Sequence, residues 1–372
     1  MVKSNSELCQ KYGVPIYGAA WVPTKNLSLS PSDDQQDSNS WLVFCGGGGE
    51  GSSGIPNCVS LIQFDSNSNS LSPNLVSKLG TEGKLPYRMA VHPGGEGVIC
   101  SFPESCRLFE WDVKKSEGPK LTLKSSEKNL SELENVGQQL TLTFSTDGTA
   151  LAVGGEDGHL RVFKWPSMEL LLDQTDENST VKDLTFSSDG KFLVSLGSRG
   201  PGRVWEVSSL KIVATIPKEK DEVFGFCRFS QTKANSQILY VTAMRSQGSI
   251  VCWDPTSWKR IRSKQVVRDP ISAFNVSADG ELLAVGTIQG DIHIMGSDLR
   301  TRQVIKKAHL GLVTVLTFSE DSRSLFSVSL DSSARVTLIN NKNKQSGLSI
   351  WVILFVIYLA VMAYILKNKG VF

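Results

Sequence analysis

The residues best suited to a binding or catalytic role are concentrated in one glycine-rich stretch near the N-terminus. Residues 45–58 read CGGGGEGSSGIPNC and contain six glycines and one proline. Ordering four consecutive glycines is costly, because glycine loses more backbone freedom on folding than any other residue. The stretch is therefore a flexible connector, a phosphate-binding loop or an ordered recognition loop.

A phosphate-binding loop would need features that this stretch lacks. The pattern G-x-x-x-x-G-K-[ST] places a lysine at the start of a helix, whereas Ile55 and Pro56 follow Gly54 here. A dinucleotide-binding turn also leads into a helix, whereas residues 58–64 alternate in the manner of a strand. Phosphate binding is therefore disfavoured, and a flexible connector remains the alternative to an ordered loop.

An ordered glycine-rich loop has the capacity to bind a cation. Successive backbone carbonyls without side chains can turn inward around an ion, as they do in potassium-selective sites. A bound ion would offset the entropy cost of ordering, and Pro56 would stiffen the returning limb. A plain hairpin connection needs only about two to five residues, so the length of residues 46–57 favours a shaped loop.

The rest of the chain contains no motif typical of an enzyme. The patterns G-x-S-x-G and H-E-x-x-H are absent. The four histidines do not share metal-ligand spacing; they are His92, His159, His293 and His309. Aspartates recur once per repeat unit, which is typical of residues that cap turns rather than of acid–base pairs. We therefore expect no bond-making enzymatic activity.

Composition limits the possible partners and the redox environment. The chain has 372 residues and a net charge of +2, which gives no support to nucleic-acid binding. Its seven cysteines lie in apolar stretches without CxxC pairs. This spacing favours reduced, buried thiols over a disulfide framework or a zinc site.

A repeated pattern surrounds the glycine-rich stretch and must position it. Five copies contain an apolar strand, a Phe-Ser pair or its equivalent, a polar turn that is Asp-Gly in three of them, and two further strands. Their anchor residues are 42, 43, 47 and 42 positions apart: Phe144, Phe186, Phe229, Val276 and Phe318. Two weaker copies precede them at 87–112 and 14–65, the latter split by a polar insertion at 24–40. Seven such units predict an all-β, seven-bladed β-propeller.

The last repeat unit supplies only three strands before the polar residues 341–346. An open ring would leave unpaired strand edges, so its fourth strand must come from elsewhere. We expect the N-terminal strand, at about residues 11–16, to complete the last blade. The propeller would then span residues 1–340.

Residues 348–366 are predicted to form a single C-terminal transmembrane helix. The stretch from 347 to 366 contains no charged residue, and about twenty helical residues reach across the ~30 Å of a bilayer core. Residues 341–347 would be a linker and 367–372 a short lumenal tail. Because the N-terminus has no apolar signal segment, the residues before the span are expected on the cytosolic side.

Two sets of residues resemble known families. Trp111-Asp112 and Trp253-Asp254 are the dipeptide of WD repeats, so the fold is predicted to be a WD40-like propeller. The motif GGGGEGSSGIPN in the first blade, with YGVPIYGAAWV before it and a C-terminal span, resembles one family specifically. It is similar to the endoplasmic-reticulum exchange factors of the Sar small GTPase, which start COPII coat assembly.

This resemblance implies a potassium ion held by backbone carbonyls in the loop. By position, the carbonyls would belong to Gly46, Gly47, Gly48, Gly49 and Gly51. It also implies a GTPase-contacting segment made of Glu50, Gly51, Ser52, Ser53, Gly54, Ile55, Pro56 and Asn57, in which Ser52 and Ser53 have no individual role. Asn57 would be the residue needed for exchange, since its amide has both a donor and an acceptor for a GTPase switch segment.

Two functions are compatible with that resemblance, besides a generic propeller scaffold. The first is a membrane-anchored guanine-nucleotide exchange factor that loads the Sar GTPase at the endoplasmic reticulum. The alternative is a relative without exchange activity that helps membrane cargo, such as phosphate transporters, to leave that compartment. Asn57 and the intact GGGG-x4-G-I-x-N spacing favour the first.

Overall fold

The computed structural model describes residues 8–24, 27, 39–51, 53–114, 120–175, 179–231, 237–339 and 358. The chain divides into two compact units, residues 1–338 and 339–372. No helix within the described ranges is long and apolar enough to cross a membrane. The predicted linker, transmembrane helix 348–366 and tail lie outside those ranges, apart from Tyr358.

Within its described residues, the first unit contains seven antiparallel sheets, or blades. β1 (Cys9–Lys11) precedes the first blade, which contains β2 (Ile16–Trp21), β3 (Asn39–Gly46), β4 (Cys58–Asp65), β5 (Ser70–Leu71) and β6 (Ser77–Gly80). The second contains β7 (Arg88–Val91), β8 (Gly97–Ser101), β9 (Cys106–Lys114) and β10 (Lys120–Ser125). A 3₁₀ helix (Ser131–Leu133) leads to the third, with β11 (Gln139–Phe144), β12 (Ala150–Gly155), β13 (His159–Lys164) and β14 (Glu169–Thr175).

The remaining four blades repeat this arrangement. The fourth contains β15 (Val181–Phe186), β16 (Phe192–Gly197), β17 (Gly202–Glu206) and β18 (Lys211–Ile216). The fifth contains β19 (Val223–Gln231), β20 (Gln237–Met244), β21 (Gly248–Asp254) and β22 (Lys259–Val267). The sixth contains β23 (Ile271–Val276), β24 (Leu282–Thr287), β25 (Ile292–Gly296) and β26 (Thr301–Ile305). The seventh contains β27 (Val313–Phe318), β28 (Ser324–Ser329) and β29 (Ser333–Leu338).

The blades form a closed ring. The first strand of each blade packs beside the first strand of the next, and β27 packs against β2. Six of these seven inner strands contain a register shift typical of a β-bulge: β2, β11, β15, β19, β23 and β27. Bulges increase local strand twist. The fold is the predicted seven-bladed β-propeller.

The hydrophobic core lies between neighbouring blades. Between the first two, Val43 and Cys45 of β3 pack with Val98 and Cys100 of β8, and none of the four is exposed to solvent. Burying such side chains stabilises the fold by about 1.5–3 kcal/mol each. This packing fixes β3, and therefore the point at which the glycine-rich stretch leaves the sheet.

The recurring aspartates cap turns, as the sequence predicted. Asp147, Asp189, Asp279 and Asp321 each accept a hydrogen bond of 2.5–2.6 Å from the serine hydroxyl two residues earlier. The Ser145 hydroxyl, as the main cause, lowers the pKa of Asp147. These carboxylates therefore shape the turns between first and second strands.

The N-terminal segment completes the seventh blade through β1, which pairs antiparallel with β29. This strand is Cys9–Lys11, earlier than the predicted residues 11–16, and Ile16 already belongs to β2. The difference has a local cause. Gly13 has a positive φ of 76° and Pro15 lacks a backbone N–H, so the chain turns between the seventh blade and the first.

We predict that this ladder contributes measurably to stability. Gln10 of β1 lies opposite Ala334 of β29. Two backbone hydrogen bonds flank this pair: the Tyr12 N–H donates to the Ser332 carbonyl, and the Val336 N–H donates to the Leu8 carbonyl. In an antiparallel ladder the N–H of Gln10 must then face β29. Gln10→Pro should lower the free energy of unfolding by about 1–3 kcal/mol, because the ladder loses a hydrogen bond.

Lys11→Pro is the matched control, since the neighbouring N–H in an edge strand faces away from the partner. Thermal or urea unfolding of the two variants would measure the difference. Equal destabilisation by both substitutions would contradict the assigned register.

Candidate functional site

The glycine loop, defined as residues 46–57, protrudes from the first blade. It joins β3 to β4, and Gly46 lies directly opposite Cys58 at the end of their ladder. The N–H of Gly47 donates to the carbonyl of Pro15 at 3.0 Å. Both ends of the loop are therefore held by the sheet, which distinguishes it from a connector between domains.

The Asn57 side chain holds the loop from inside. Its Oδ1 accepts a hydrogen bond from the N–H of Gly49 at 3.0 Å, and its Nδ2 donates to the carbonyl of the same residue at 3.0 Å. Nδ2 also donates to the carbonyl of Gly83 at 2.6 Å. The residue is only 7% exposed. Both amide hydrogens are thus used within the chain, and direct pairing with a partner, as the sequence suggested, would require them to be released.

A second turn supports the loop from the connection between the first two blades. In residues 81–84, the Thr81 N–H donates to the carbonyl of Asn57 at 3.1 Å. The Thr81 hydroxyl donates to the carbonyl of Lys84 at 2.7 Å, and the Lys84 N–H donates back to Thr81 at 3.1 Å. Glu82 and Gly83 both have positive φ, at 53° and 85°. This 81–84 turn presents the Gly83 carbonyl to the Asn57 amide.

Three of the glycines are required by close approach. A Cβ on Gly46 would lie 2.0 Å from the carbonyl oxygen of Pro15. A Cβ on Gly47 would lie 2.5 Å from the Cα of Asn57, and one on Gly48 would lie 2.0 Å from the hydroxyl of Ser53. Such distances are far below van der Waals contact, so the base of the loop is a packed structure.

The tip of the loop is exposed. Residues 50, 51 and 53–56 are all exposed, and Ser52 lies outside the described residues. Ile55 is 36% exposed, which leaves a large apolar side chain beside Pro56 at the surface. A rigid base and an exposed tip are properties of a recognition surface.

The two cysteines that flank the loop are chemically unreactive. Cys45 and Cys58 border the loop and are buried, and all seven cysteines are free thiols. Burial raises the pKa of the Cys58 thiol, so it is protonated at neutral pH and is a poor nucleophile. Glu50 is the only charged residue of the loop.

The donor set fits a monovalent cation better than a transition metal. Neutral backbone carbonyls and one carboxylate are hard oxygen ligands, and no lysine or arginine lies within residues 46–57. The carbonyls of Gly48 and Gly49 already accept hydrogen bonds from Ser53 and Asn57, and each retains a second lone pair. The residues present are therefore compatible with a bound potassium ion.

The four histidines occupy structural positions elsewhere. His92 lies 3.1 Å from the Gly148 carbonyl, and His159 lies 2.6 Å from a carboxylate oxygen of Asp173. Burial lowers the pKa of His293 and lowers that of His309 to about 4. Among the residues that the structure describes, no group of three or more His, Cys, Asp or Glu side chains could hold a metal ion.

Comparison with known proteins identifies the family. The protein-family model described as "WD domain, G-beta repeat" matches residues 134–164. SEC12-like protein 2 of Arabidopsis thaliana is 49% identical over 358 residues, which cover 92% of this chain and 90% of that protein. The chain belongs to the SEC12-type family of WD-repeat proteins.

Two further SEC12 relatives align over most of the chain. SEC12-like protein 1 of Arabidopsis thaliana is 29% identical over 83% of this chain and 78% of that protein. The guanine nucleotide-exchange factor SEC12 of Mus musculus is 25% identical over 93% of this chain and 94% of that protein. The SEC12 family thus includes proteins named as exchange factors and proteins named only as SEC12-like.

The sequence did not reveal the contribution of the 81–84 turn. Asn57 and Gly83 are 26 positions apart and belong to different connections, so no local pattern links them. The only available signal was the Thr-Glu-Gly stretch at 81–83, which is typical of a turn.

We predict that Gly47→Ala disrupts the base of the loop, whereas Gly51→Ala does not. The first places a Cβ against Asn57 at a φ of 149°, which should cost about 1–3 kcal/mol as local strain. The second has open space around the Cβ. Hydrogen exchange of the Gly49 amide would report the loss of its bond to Asn57 in the first variant only. Unchanged protection in Gly47→Ala would contradict the packed base.

Proposed function

We propose that this chain is a membrane-anchored guanine-nucleotide exchange factor. It would load a Sar-type small GTPase with GTP at the endoplasmic reticulum and so start COPII vesicle budding. The observation that supports this most is the glycine loop, whose base is fixed by Asn57 while its tip is exposed. Similarity to mouse SEC12, a named exchange factor, extends over 93% of the chain.

The loop can act without making or breaking a covalent bond. Exchange requires only that the partner binds the nucleotide-free GTPase more tightly than the nucleotide-bound form. A loop already held in one shape loses less conformational entropy on binding than a flexible loop. The loop tip, whose residues 50, 51 and 53–56 are exposed, would contact the GTPase, and Asn57 would act as a positioning residue behind it.

A potassium ion is part of this proposal. The carbonyls of Gly46, Gly47, Gly48, Gly49 and Gly51 would hold it, and Glu50 is the nearest charge in sequence. When bound, the ion supplies positive charge that favours inward-facing carbonyls. The chain's own residues supply the remaining order, through the Asn57 bonds to Gly49.

The cellular setting rests on the predicted helix at 348–366. Its single span would place the propeller on the cytosolic side of the endoplasmic-reticulum membrane. Confining the loop to that surface would confine GTP loading to the membrane on which the coat assembles. Membrane cargo proteins would be further partners of the chain at the same membrane surface.

A second candidate function is cargo exit without exchange activity. It is favoured by the 49% identity to a protein named SEC12-like rather than exchange factor. It is also compatible with an Asn57 amide whose hydrogens are both used internally. In that case the propeller would help membrane proteins, such as phosphate transporters, to leave the endoplasmic reticulum.

The proposed function predicts faster nucleotide release from a Sar-type GTPase when the full chain, in detergent, is added. Asn57→Ala should reduce that acceleration by at least about tenfold, because losing three hydrogen bonds to the loop and turn exceeds the ~1.4 kcal/mol that a factor of ten requires. Glu169→Gln, at an exposed position of β14 in the third blade, is the control and should change nothing.

Fluorescence of a labelled nucleotide measures release, and circular dichroism shows that each variant is folded. If the folded wild-type chain does not accelerate release, exchange activity is rejected and the cargo function remains.

Replacing potassium by sodium should also slow exchange, because a smaller ion fits the same carbonyls less well. Hydrogen exchange of the Gly49 amide provides a readout that does not depend on the GTPase. It should become faster in sodium. Identical rates in both salts, in both measurements, would remove the ion from the proposal.

A further inference from the structure

A charged cleft lies beside the glycine loop. It has a volume of about 510 Å³ and extends from the 81–84 turn to the second blade. Its rim includes Glu82 and Lys84 of the turn, Glu104 and Arg107 of the second blade, and Glu127 and Glu134 of the segment that follows β10. Small-molecule pockets of this size are mostly apolar, so this lining favours a polar polypeptide surface as the occupant.

The cleft exists because the outer strand of the second blade is short. β10 ends with Ser125 opposite Phe109, although β9 begins three residues earlier, at Cys106. In the third to sixth blades the outer strand covers the start of the third strand, as His159 opposite Thr175 illustrates. After Ser125 the chain continues into the 3₁₀ helix instead, with Leu130 and Leu133 buried. The start of β9 therefore lacks a regular outer strand. Among the described residues, only two backbone contacts cover it, the bond from the Ser126 N–H to the Leu108 carbonyl and the isolated bridge between Ser105 and Glu134.

The charged lining of the cleft is mixed, with a small excess of carboxylates. Glu82, Glu104, Glu127 and Glu134 are all exposed, and no salt bridge to them is found among the described residues. The lining also contains three basic side chains, Lys84, Arg107 and Lys128. Arg107 lies 5.1 Å from the centre of the Phe102 ring and Lys128 lies 4.1 Å from that of Trp165, contacts that orient the cations without removing their charge. The lining therefore has one more carboxylate than basic side chains, and this small acidic excess favours a basic partner segment.

The cleft and the loop share a structural element. Gly83, whose carbonyl accepts from Asn57, lies between Glu82 and Lys84, which line the cleft. Glu104 lies in the connection between the second and third strands of its blade, as the glycine loop does in the first blade. In antiparallel blades such connections lie at the same end of the ring. One partner could therefore contact both features at once.

We propose that this cleft is a second docking surface for the GTPase of the proposed function, and that it receives a basic segment of that GTPase. The inference rests on the proposed function for the identity of the partner. The cleft would contribute mainly to the rate of association, through charge, while the loop acts on the bound nucleotide site. Because Gly83 links the two, occupancy of the cleft and the shape of the loop influence each other reciprocally.

The test is the association of nucleotide-free Sar-type GTPase with the full chain in lipid nanodiscs, measured by interferometry. Glu104→Lys and Glu134→Lys should each slow association about fivefold at low ionic strength, with the difference lost at about 0.5 M salt. Glu169→Lys makes the same change of charge on the third blade and should leave the rate unchanged. Glu104→Gln, which removes the charge without reversing it, should have an intermediate effect.

Two outcomes distinguish the docking role of the cleft from the exchange function. If Glu104→Lys and Glu134→Lys behave like Glu169→Lys, the cleft is not a docking surface, whatever Asn57→Ala does to exchange. If they slow association while the wild-type chain does not accelerate nucleotide release, the docking surface stands and exchange is rejected. Absence of any association with the wild-type chain overturns both proposals.

Discussion

The carboxamide of Asn57 is the point at which the candidate site is held together. It bonds twice to Gly49 and once to Gly83, at 2.6–3.0 Å. A buried amide that loses such partners leaves unsatisfied polar groups, at a cost of about 1–3 kcal/mol each. The side chain therefore joins the loop of the first blade to the turn that begins the second, and the exposed tip depends on that junction.

The propeller holds the loop in the position that the Asn57 hydrogen bonds require. β3 and β4 are buried between blades and hold both ends of the loop. The base of the loop accepts only glycine at three positions, since a Cβ would collide with Pro15, Asn57 or Ser53. The glycines thus let other backbone and side-chain atoms approach, which explains why such a flexible sequence forms a defined structure. A fixed base and a solvent-exposed tip are the physical reasons for proposing that this loop binds a partner protein.

The repeat spacing was sufficient to predict the propeller, because each blade repeats one pattern of strand, polar turn and strand with little interruption. The closing strand lies at Cys9–Lys11 rather than at the predicted residues 11–16, because Gly13 and Pro15 form a turn that the apolar pattern does not indicate. Asn57 was identified from its motif, but its orientation was not predictable. Its second partner residue, Gly83, belongs to another connection, and long-range contacts of this kind leave no periodic signal in one sequence. The cleft was likewise invisible, because it results from where β10 ends.

The decisive measurement is a structure of the chain bound to nucleotide-free Sar-type GTPase, which shows whether the Asn57 bonds persist in the complex. We predict that Asn57 Nδ2 remains within hydrogen-bond distance of the Gly49 and Gly83 carbonyls, while residues 50–56 contact the GTPase. An Asn57 amide that has left both carbonyls and bonds to the GTPase instead would contradict it.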